Sequence, residues 1–183
     1  MRIGLAAILL CLVISPELRA QRFPHIFTGL VGVGGSLDET EAGYGNPSWQ
    51  LGFTNEIAEN TRFATRLGGL LWGSEDLVGD VLGPTLLYLT VAGEYAESAE
   101  SFSGSFVSPG IYIGLGYYYL EGENSEGESV SDSGPGLVIG LTGDIDLNQR
   151  RSLSLRVEFA AHYAALDAAQ LFGQALIGLA YHF

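Results

Sequence analysis

Apolar and polar side chains alternate along most of this chain, with a period of two residues that begins near residue 26. Between residues 152 and 165, for example, Leu155 and Val157 alternate with Arg156 and Glu158. A period of two places the two sets on opposite faces of a β-strand, whereas a helix would scatter them around its circumference. Runs rich in Gly, Asn, Asp and Ser separate the alternating segments, as turns and loops do. The pattern predicts strands at 26–37, 48–57, 61–72, 85–95, 107–120, 136–147, 152–165 and 171–183.

An even number of long antiparallel strands fits two kinds of closed barrel. In a soluble barrel the apolar face points inward, and in an outer-membrane barrel it points to lipid. The interior of an eight-stranded barrel has little more room than its own side chains fill. The bulky set is too large for that space: it comprises Trp49, Leu51, Phe53, Phe63, Leu67, Leu87, Leu89, Ile111, Ile113, Leu115, Tyr117 and Tyr119. The opposite set is small or polar: it comprises Gly52, Thr54, Gly68, Thr90, Ala92, Gly114, Gly116, Gly140, Thr142, Ala160 and Gly178. We therefore predict an all-β fold, an eight-stranded antiparallel up-and-down transmembrane β-barrel with the bulky set outside.

The first twenty residues have the features of a secretory signal peptide. Met1 and Arg2 form a short positive region, an apolar run follows, and a short segment ending at Ala20 suits cleavage. The apolar run is too short to span a membrane as a helix. We therefore expect residues 1–20 to be the signal peptide and residues 21–183 to be the barrel domain. Cys11, the single cysteine, would leave with the signal peptide.

Composition narrows the possible partners. The formal net charge is −13 and all 8 basic residues are Arg, so no basic patch is available to neutralise phosphates, and we expect no nucleic-acid partner. One Cys excludes a disulfide framework and a thiolate zinc site. We expect no cofactor and no metal site. The acidic residues are concentrated in the connections on one side of the barrel: Asp38, Glu39, Glu41, Glu75, Asp76, Asp80, Glu121, Glu123, Glu126, Glu128, Asp132 and Asp167. We expect 121–135 to be a long, solvated, flexible loop.

The chain ends in Tyr181, His182 and Phe183, with apolar residues at every second position before them. This ending resembles the terminal strand of bacterial outer-membrane β-barrels, which typically has Phe last and Tyr at the third-last position. With the other features, the whole mature chain resembles small eight-stranded barrels of the OmpA-like or OmpX-like kind. The resemblance implies export to the outer membrane, contact with outer-membrane lipid, and recognition of Tyr181 and Phe183 by the barrel-assembly machinery. It also implies termini on the periplasmic side and acidic loops facing outward. We expect a monomer.

Eight charged residues have the inward parity: Glu56, Arg62, Arg66, Glu94, Asp144, Asp146, Arg156 and Glu158. A charge in so narrow a lumen requires a partner. A turn near residue 59 would place Glu56 opposite Arg62, and a turn near residue 150 would place Asp144 opposite Arg156. We predict an ion-pair plug around Arg66 and Arg156 that replacement of Arg156 would open, with water beside the inward glycines. A selectivity filter or proton path is the functional alternative.

His162 is the candidate for catalysis, because some eight-stranded outer-membrane enzymes remove acyl chains from lipid A with a Ser, a His and an acid. No Ser lies two residues after His162, where the deacylase pattern has one, and the parity of His162 directs it inward. We therefore expect no enzymatic activity. The expected role is structural support of the membrane, or surface interaction through the acidic loops. A narrow pore for small solutes or ions is the alternative, followed by a lipid A-modifying enzyme.

Overall fold

Nine strands, eight of them long, form the fold. The computed structural model describes residues 25–37, 45–58, 60–73, 76–78, 80–97, 107–147, 152–167 and 170–183. The expected signal peptide, residues 1–20, lies outside these residues, as does most of the first acidic connection. The strands are β1 (His25–Ser36), β2 (Asn46–Ala58), β3 (Thr61–Leu71), β4 (Leu77–Val78), β5 (Val81–Ala96), β6 (Val107–Glu123), β7 (Ser129–Asp146), β8 (Leu153–Ala164) and β9 (Leu171–His182).

The eight long strands close into a barrel. Each long strand pairs antiparallel with the next one along the chain, β3 pairs with β5, and β1 pairs with β9. The two-residue β4 pairs only with the beginning of β5. Closure leaves no free edge around the barrel wall. The predicted all-β, eight-stranded antiparallel barrel is confirmed. Among the described residues, no helix is long and apolar enough to cross a membrane.

The period-two pattern separates the outside of the barrel from the inside. Large apolar side chains of the predicted outward set are exposed, such as Ile113 at 66% and Leu115 at 62%. Their neighbours Tyr112 and Ala92, on the opposite parity, are buried in the lumen. The exposed apolar side chains surround the barrel as a belt, whereas a soluble barrel would bury them.

The two ends of the barrel differ. At one end, named here the terminal end, the backbones of His25 and Phe183 exchange two hydrogen bonds. Strands β2, β5 and β7 also end there. Strands β1, β3, β6 and β8 end at the opposite end, named here the loop end.

Residues 121–135 differ from the expected flexible loop. Strands β6 and β7 continue through this segment as a hairpin, and Gly122 pairs with Val130. The tip is a short turn in which the side-chain carbonyl of Asn124 accepts the backbone N–H groups of Glu126 and Glu128. Gly127 takes a φ of +78°, which a glycine adopts without steric cost. The expectation of a loop is wrong because both faces of this hairpin are polar, so its strands carry no apolar alternation.

The inward glycines lie against side chains. A Cβ atom at Gly140 would overlap the ring of Tyr112, and one at Gly68 would overlap the ring of Tyr88. Likewise, a Cβ atom at Gly52 would overlap the hydroxyl of Thr28. The expectation of water beside Gly52, Gly114, Gly116 and Gly140 is therefore wrong. At Gly68 and Gly140 the missing side chain gives room to the rings of Tyr88 and Tyr112.

We predict that Gly140→Ala destabilises the barrel. The added methyl group must displace the buried Tyr112 ring, and overpacking of this kind costs roughly 1–3 kcal/mol. The matched control is Gly143→Ala on the same strand, where the nearest atom to a new Cβ is Val107 Cγ1 at 3.5 Å. Urea unfolding of both variants in lipid vesicles measures the difference. Equal stabilities would contradict the packing of Tyr112 against Gly140.

Candidate functional site

The interior near the terminal end holds a cluster of six charged side chains, named here the ion-pair cluster: Arg62, Arg66, Glu94, Asp144, Arg156 and Glu158. Arg156 lies at its centre, and its Nε and Nη2 atoms donate to both oxygens of Asp144 at 2.7 Å. The same Nη2 lies 3.3 Å from Glu94 Oε1. Arg66 Nη2 donates to the other oxygen of Glu94 at 2.6 Å. Glu94 therefore bridges two arginines from different strands.

The ion-pair cluster is balanced in charge. Its three arginines face three carboxylates, and the side chains are between 0% and 12% exposed. Arg62 joins it through Glu94 at 3.3 Å and Asp144 at 3.6 Å. Buried charges are tolerated when they are paired and hydrogen-bonded in this way.

Glu56 and Asp146 are partly buried and lie outside the ion-pair cluster. Glu56 is opposite Arg62 in the register, yet the ion pairs of Arg62 run to Glu94 and Asp144. Asp146 accepts a hydrogen bond from Ser154 at 3.1 Å. Both residues are close to the terminal end of their strands, so solvent reaches the two acids that the sequence has in excess of its inward arginines.

A second layer of the lumen is polar and aromatic. Glu158 Oε1 accepts hydrogen bonds from Gln50 Nε2 at 2.9 Å and from the hydroxyl of Tyr112 at 2.7 Å. The Tyr88 hydroxyl lies between the side-chain oxygens of Gln50 and Gln174, at 3.0 and 2.8 Å. This layer connects the ion-pair cluster to the loop-end half of the lumen.

His162 belongs to the same layer. Its Nδ1 is 3.0 Å from the Tyr118 hydroxyl, and its ring is 4.7 Å from that of Tyr88. The side chain is 2% exposed, so no substrate in lipid or solvent reaches it in this conformation. No serine hydroxyl is bonded to His162 among the described residues, and this arrangement therefore does not provide the Ser–His pair that acyl transfer requires.

The loop-end half of the lumen is filled by apolar side chains, named here the apolar cap: Leu70, Trp72, Val78, Leu86, Tyr88, Tyr118, Leu120, Ala164, Leu166 and Phe172. Trp72 and Phe172 pack edge to face with ring centroids 6.0 Å apart. The small strand β4 contributes Val78, which is fully buried. The connection after β3 therefore contributes Trp72 and Val78 to the apolar side chains that fill the loop-end half of the lumen.

These layers change the expectation about the plug. The ion-pair cluster was expected to be the barrier that a single Arg156 substitution opens. The polar aromatic layer and the apolar cap lie beyond it along the lumen, so loss of Arg156 leaves two further barriers. We therefore revise the expected effect of replacing Arg156: the lumen should stay closed in that variant.

The sequence reasoning missed five side chains of the polar layer: Gln50, Tyr88, Tyr112, Tyr118 and Gln174. The alternation in the sequence does indicate that these side chains face inward, because Gln50 alternates with the outward Leu51 and Tyr112 with the outward Ile113. From the sequence, Tyr117 and Tyr119 were placed outside, and the tyrosines of the opposite parity were assigned no role. A tyrosine faces inward here where a glycine on an adjacent strand gives its ring room.

Tyr181 and Phe183, the expected assembly signal, lie outside the barrel at the terminal end. They are 53% and 58% exposed, and their rings stack with centroids 5.8 Å apart. The Phe183 ring also lies 5.6 Å from the His25 ring and 6.5 Å from the Phe53 ring. The last residue is thus accessible and is held within an aromatic group at the seam between β1 and β9.

Metal binding has no candidate in the described part of the chain, where no group of three or more His, Cys, Asp or Glu residues is arranged to hold an ion.

Comparisons with known proteins show the fold. No protein-family model matches this sequence, and no curated protein sequence matches it significantly. Among solved structures, Neisserial surface protein A (NspA) superposes with a TM-score of 0.63 at 13% identity, covering 88% of this chain and 97% of that one. A major outer membrane protein from Thermus thermophilus gives 0.62 at 15% identity, covering 87% and 99%. Ail, the attachment invasion locus protein of Yersinia pestis, gives 0.56 at 17% identity, covering 88% and 97%. The chain has the fold of small eight-stranded outer-membrane β-barrels.

Proposed function

We propose that this chain is an exported, monomeric outer-membrane protein without enzymatic activity. Its closed barrel anchors an acidic hairpin, residues 121–135, which contacts a cationic partner at the cell surface. The single observation that carries this proposal is the filled lumen, because side chains of the ion-pair cluster, the polar layer and the apolar cap occupy it among the described residues. The apolar belt supports a location in lipid.

The terminal end faces the periplasm in this proposal. There Tyr181 and Phe183 are accessible for recognition by the barrel-assembly machinery. The loop end then faces the exterior, and the hairpin formed by β6 and β7 projects from it. On one side the hairpin stays bonded to the segment after β8 as far as Asp132, which accepts the Asp167 N–H, and on the other side β6 pairs with β5 as far as Glu123. The tip of the hairpin extends past these contacts.

Charge determines the kind of partner. The hairpin exposes Glu121, Glu123, Glu126 and Glu128, and no basic residue lies within it. A surface of one sign attracts groups of the opposite sign and repels like charge. The Ail structure in complex with the heparin analogue sucrose octasulfate shows a polyanion on that protein. The acidic hairpin disfavours such a ligand here and favours a basic polypeptide.

We expect the unmodified protein to be non-conducting, and measuring its conductance tests whether the lumen is closed. Reconstitution in planar bilayers should give no steady single-channel conductance, and liposomes that contain the barrel should retain a trapped small solute. A general porin in parallel liposomes serves as the positive control. A large, steady, cation-selective conductance would contradict the proposal of a closed barrel that anchors the hairpin, and a pore would then be the leading function.

We also expect the hairpin to bind an arginine-rich peptide in a salt-dependent manner. Changing Glu121, Glu123, Glu126 and Glu128 to Gln removes four charges without changing the length of the side chains, and binding should fall several-fold. The matched control changes the nearby Ser125, Ser129, Ser131 and Ser133 to Ala, which keeps the charge. Fluorescence anisotropy at two salt concentrations measures both. Equal binding by the two variants would refute the role of hairpin charge.

A further inference from the structure

The apolar belt is interrupted by a groove of about 380 Å³ near the terminal end. Its outward side chains are Thr61, Tyr95, Ile111, Ile113 and Ile139, with Gly93 between them. Glu94 and Tyr112 also border it, but both side chains are buried inside the barrel. No charged side chain of the lining therefore reaches the groove.

Gly93 creates this groove. A Cβ atom at Gly93 would meet nothing within 4 Å. Two other outward glycines are covered by neighbours: Leu37 leans over Gly173, and Trp49 and Leu87 lean over Gly69. In the register, Gly93 lies between Phe63 and Ile113, so an empty position is framed by two large apolar side chains.

The groove changes character along its length. At the rim nearest the terminal end, Thr61 and Tyr95 are cross-strand partners that each bear a hydroxyl group. Tyrosine at such a level is typical of the interface between lipid headgroups and hydrocarbon. Below this rim the lining is Ile113 and Ile139. The shape fits a molecule with a polar end at the rim and a hydrocarbon chain below.

We propose that this groove binds one phospholipid molecule, whose acyl chain lies over Gly93 and whose ester region lies beside Thr61 and Tyr95. The groove is continuous with the lipid-facing belt, so hydrocarbon is the material that adjoins it. Hydrocarbon chains are as apolar as the belt, and the gain therefore comes from dispersion contacts that fill the notch.

The choice of phospholipid rests on the proposed orientation. The terminal end faces the periplasm in that proposal, and the leaflet on that side of an outer membrane consists of phospholipid. A lipopolysaccharide chain would have to enter from the opposite leaflet. The absence of charge in the groove also provides no group to hold lipid A phosphates.

Native mass spectrometry tests this site. Protein expressed from the full-length sequence and purified from outer membranes would be exchanged into detergent with added palmitoyl-oleoyl phosphatidylethanolamine. We expect the unmodified barrel to retain one phospholipid, and Gly93→Leu to retain several-fold less. Gly93→Ala, which adds one methyl group to open space, should give an intermediate loss. Heat-modifiable gel migration checks that each variant is folded.

The matched control is Gly29→Leu, because Gly29 lies in β1 near His25 and Gly93 lies in β5 near Ala96, the ends of these strands at the terminal end of the barrel. Gly29 also faces outward between large apolar neighbours, and a new Cβ there would meet only Leu51 Cδ2 at 3.9 Å. This variant should keep the lipid. Equal loss in Gly29→Leu, or no loss in Gly93→Leu, would overturn the site. Retention of lipid A in place of a phospholipid would show that lipid A occupies the groove. A dimer that Gly93→Leu abolishes would show that a second copy of the chain occupies it. Failure of the proposed location would instead appear as no protein in the outer-membrane fraction.

Discussion

Arg156→Ala should lower the free energy of unfolding by roughly 3–5 kcal/mol, the cost typical of removing one member of a buried ion pair. Arg156 is 1% exposed and donates to both oxygens of Asp144. Among the described residues, its removal leaves that carboxylate with Arg62 at 3.6 Å as its remaining ion pair. Urea unfolding in vesicles measures the loss.

The control for this prediction is a double-mutant cycle with Asp144→Ala. The double variant keeps Arg62, Arg66, Glu94 and Glu158, so the cluster stays balanced in charge. Its destabilisation should therefore be smaller than the sum of the two single effects, by roughly 0.5–3 kcal/mol. Additive effects would show that the pair is not coupled.

Arg156→Ala should also remain non-conducting in planar bilayers. The polar layer around Tyr88 and the apolar cap around Phe172 still fill the lumen in this variant. A steady conductance in Arg156→Ala alone would mean that the ion-pair cluster is the only barrier and that the other layers yield to water.

Phe183→Ala should reduce the amount of protein in the outer membrane several-fold, with degradation products in the periplasm. The expected reason is loss of the terminal aromatic group that the assembly machinery recognises. Phe183 is 58% exposed and its ring packs against the rings of His25 and Tyr181 at the rim, so the refolded variant should lose little stability. Cell fractionation and immunoblotting measure the yield.

Phe159→Ala provides the comparison for Phe183→Ala. Phe159 is exposed to nearly the same extent, 56% against 58%, but lies within β8. Truncation there removes a similar aromatic contact with lipid and leaves the chain end intact. Equal yields for the two variants, or an unchanged yield for Phe183→Ala, would count against recognition of the last residue.

The period-two pattern determined the barrel, because alternation assigns every strand residue to one of two faces. Where one face of a strand is apolar, the predicted and observed bounds agree closely: β8 is predicted at 152–165 and observed at Leu153–Ala164. The pattern failed in the hairpin at 121–135, where both faces are polar and backbone pairing alone extends the strands. Turn positions also determined register, and Asp144 indeed lies opposite Arg156.

The tertiary structure decided what the sequence left open inside the barrel. Parity directs eight charges inward, but only the packed interior selects six of them for the ion-pair cluster. The difference lies in burial: Glu56 and Asp146 are partly exposed, whereas the side chains of the other six are at most 12% exposed and form ion pairs with one another. The apolar cap depends on how the connection after β3 folds back over the lumen, and such a long-range contact has no local signature. The groove at Gly93 has the same origin, since a glycine becomes a notch only when no neighbouring side chain leans across it.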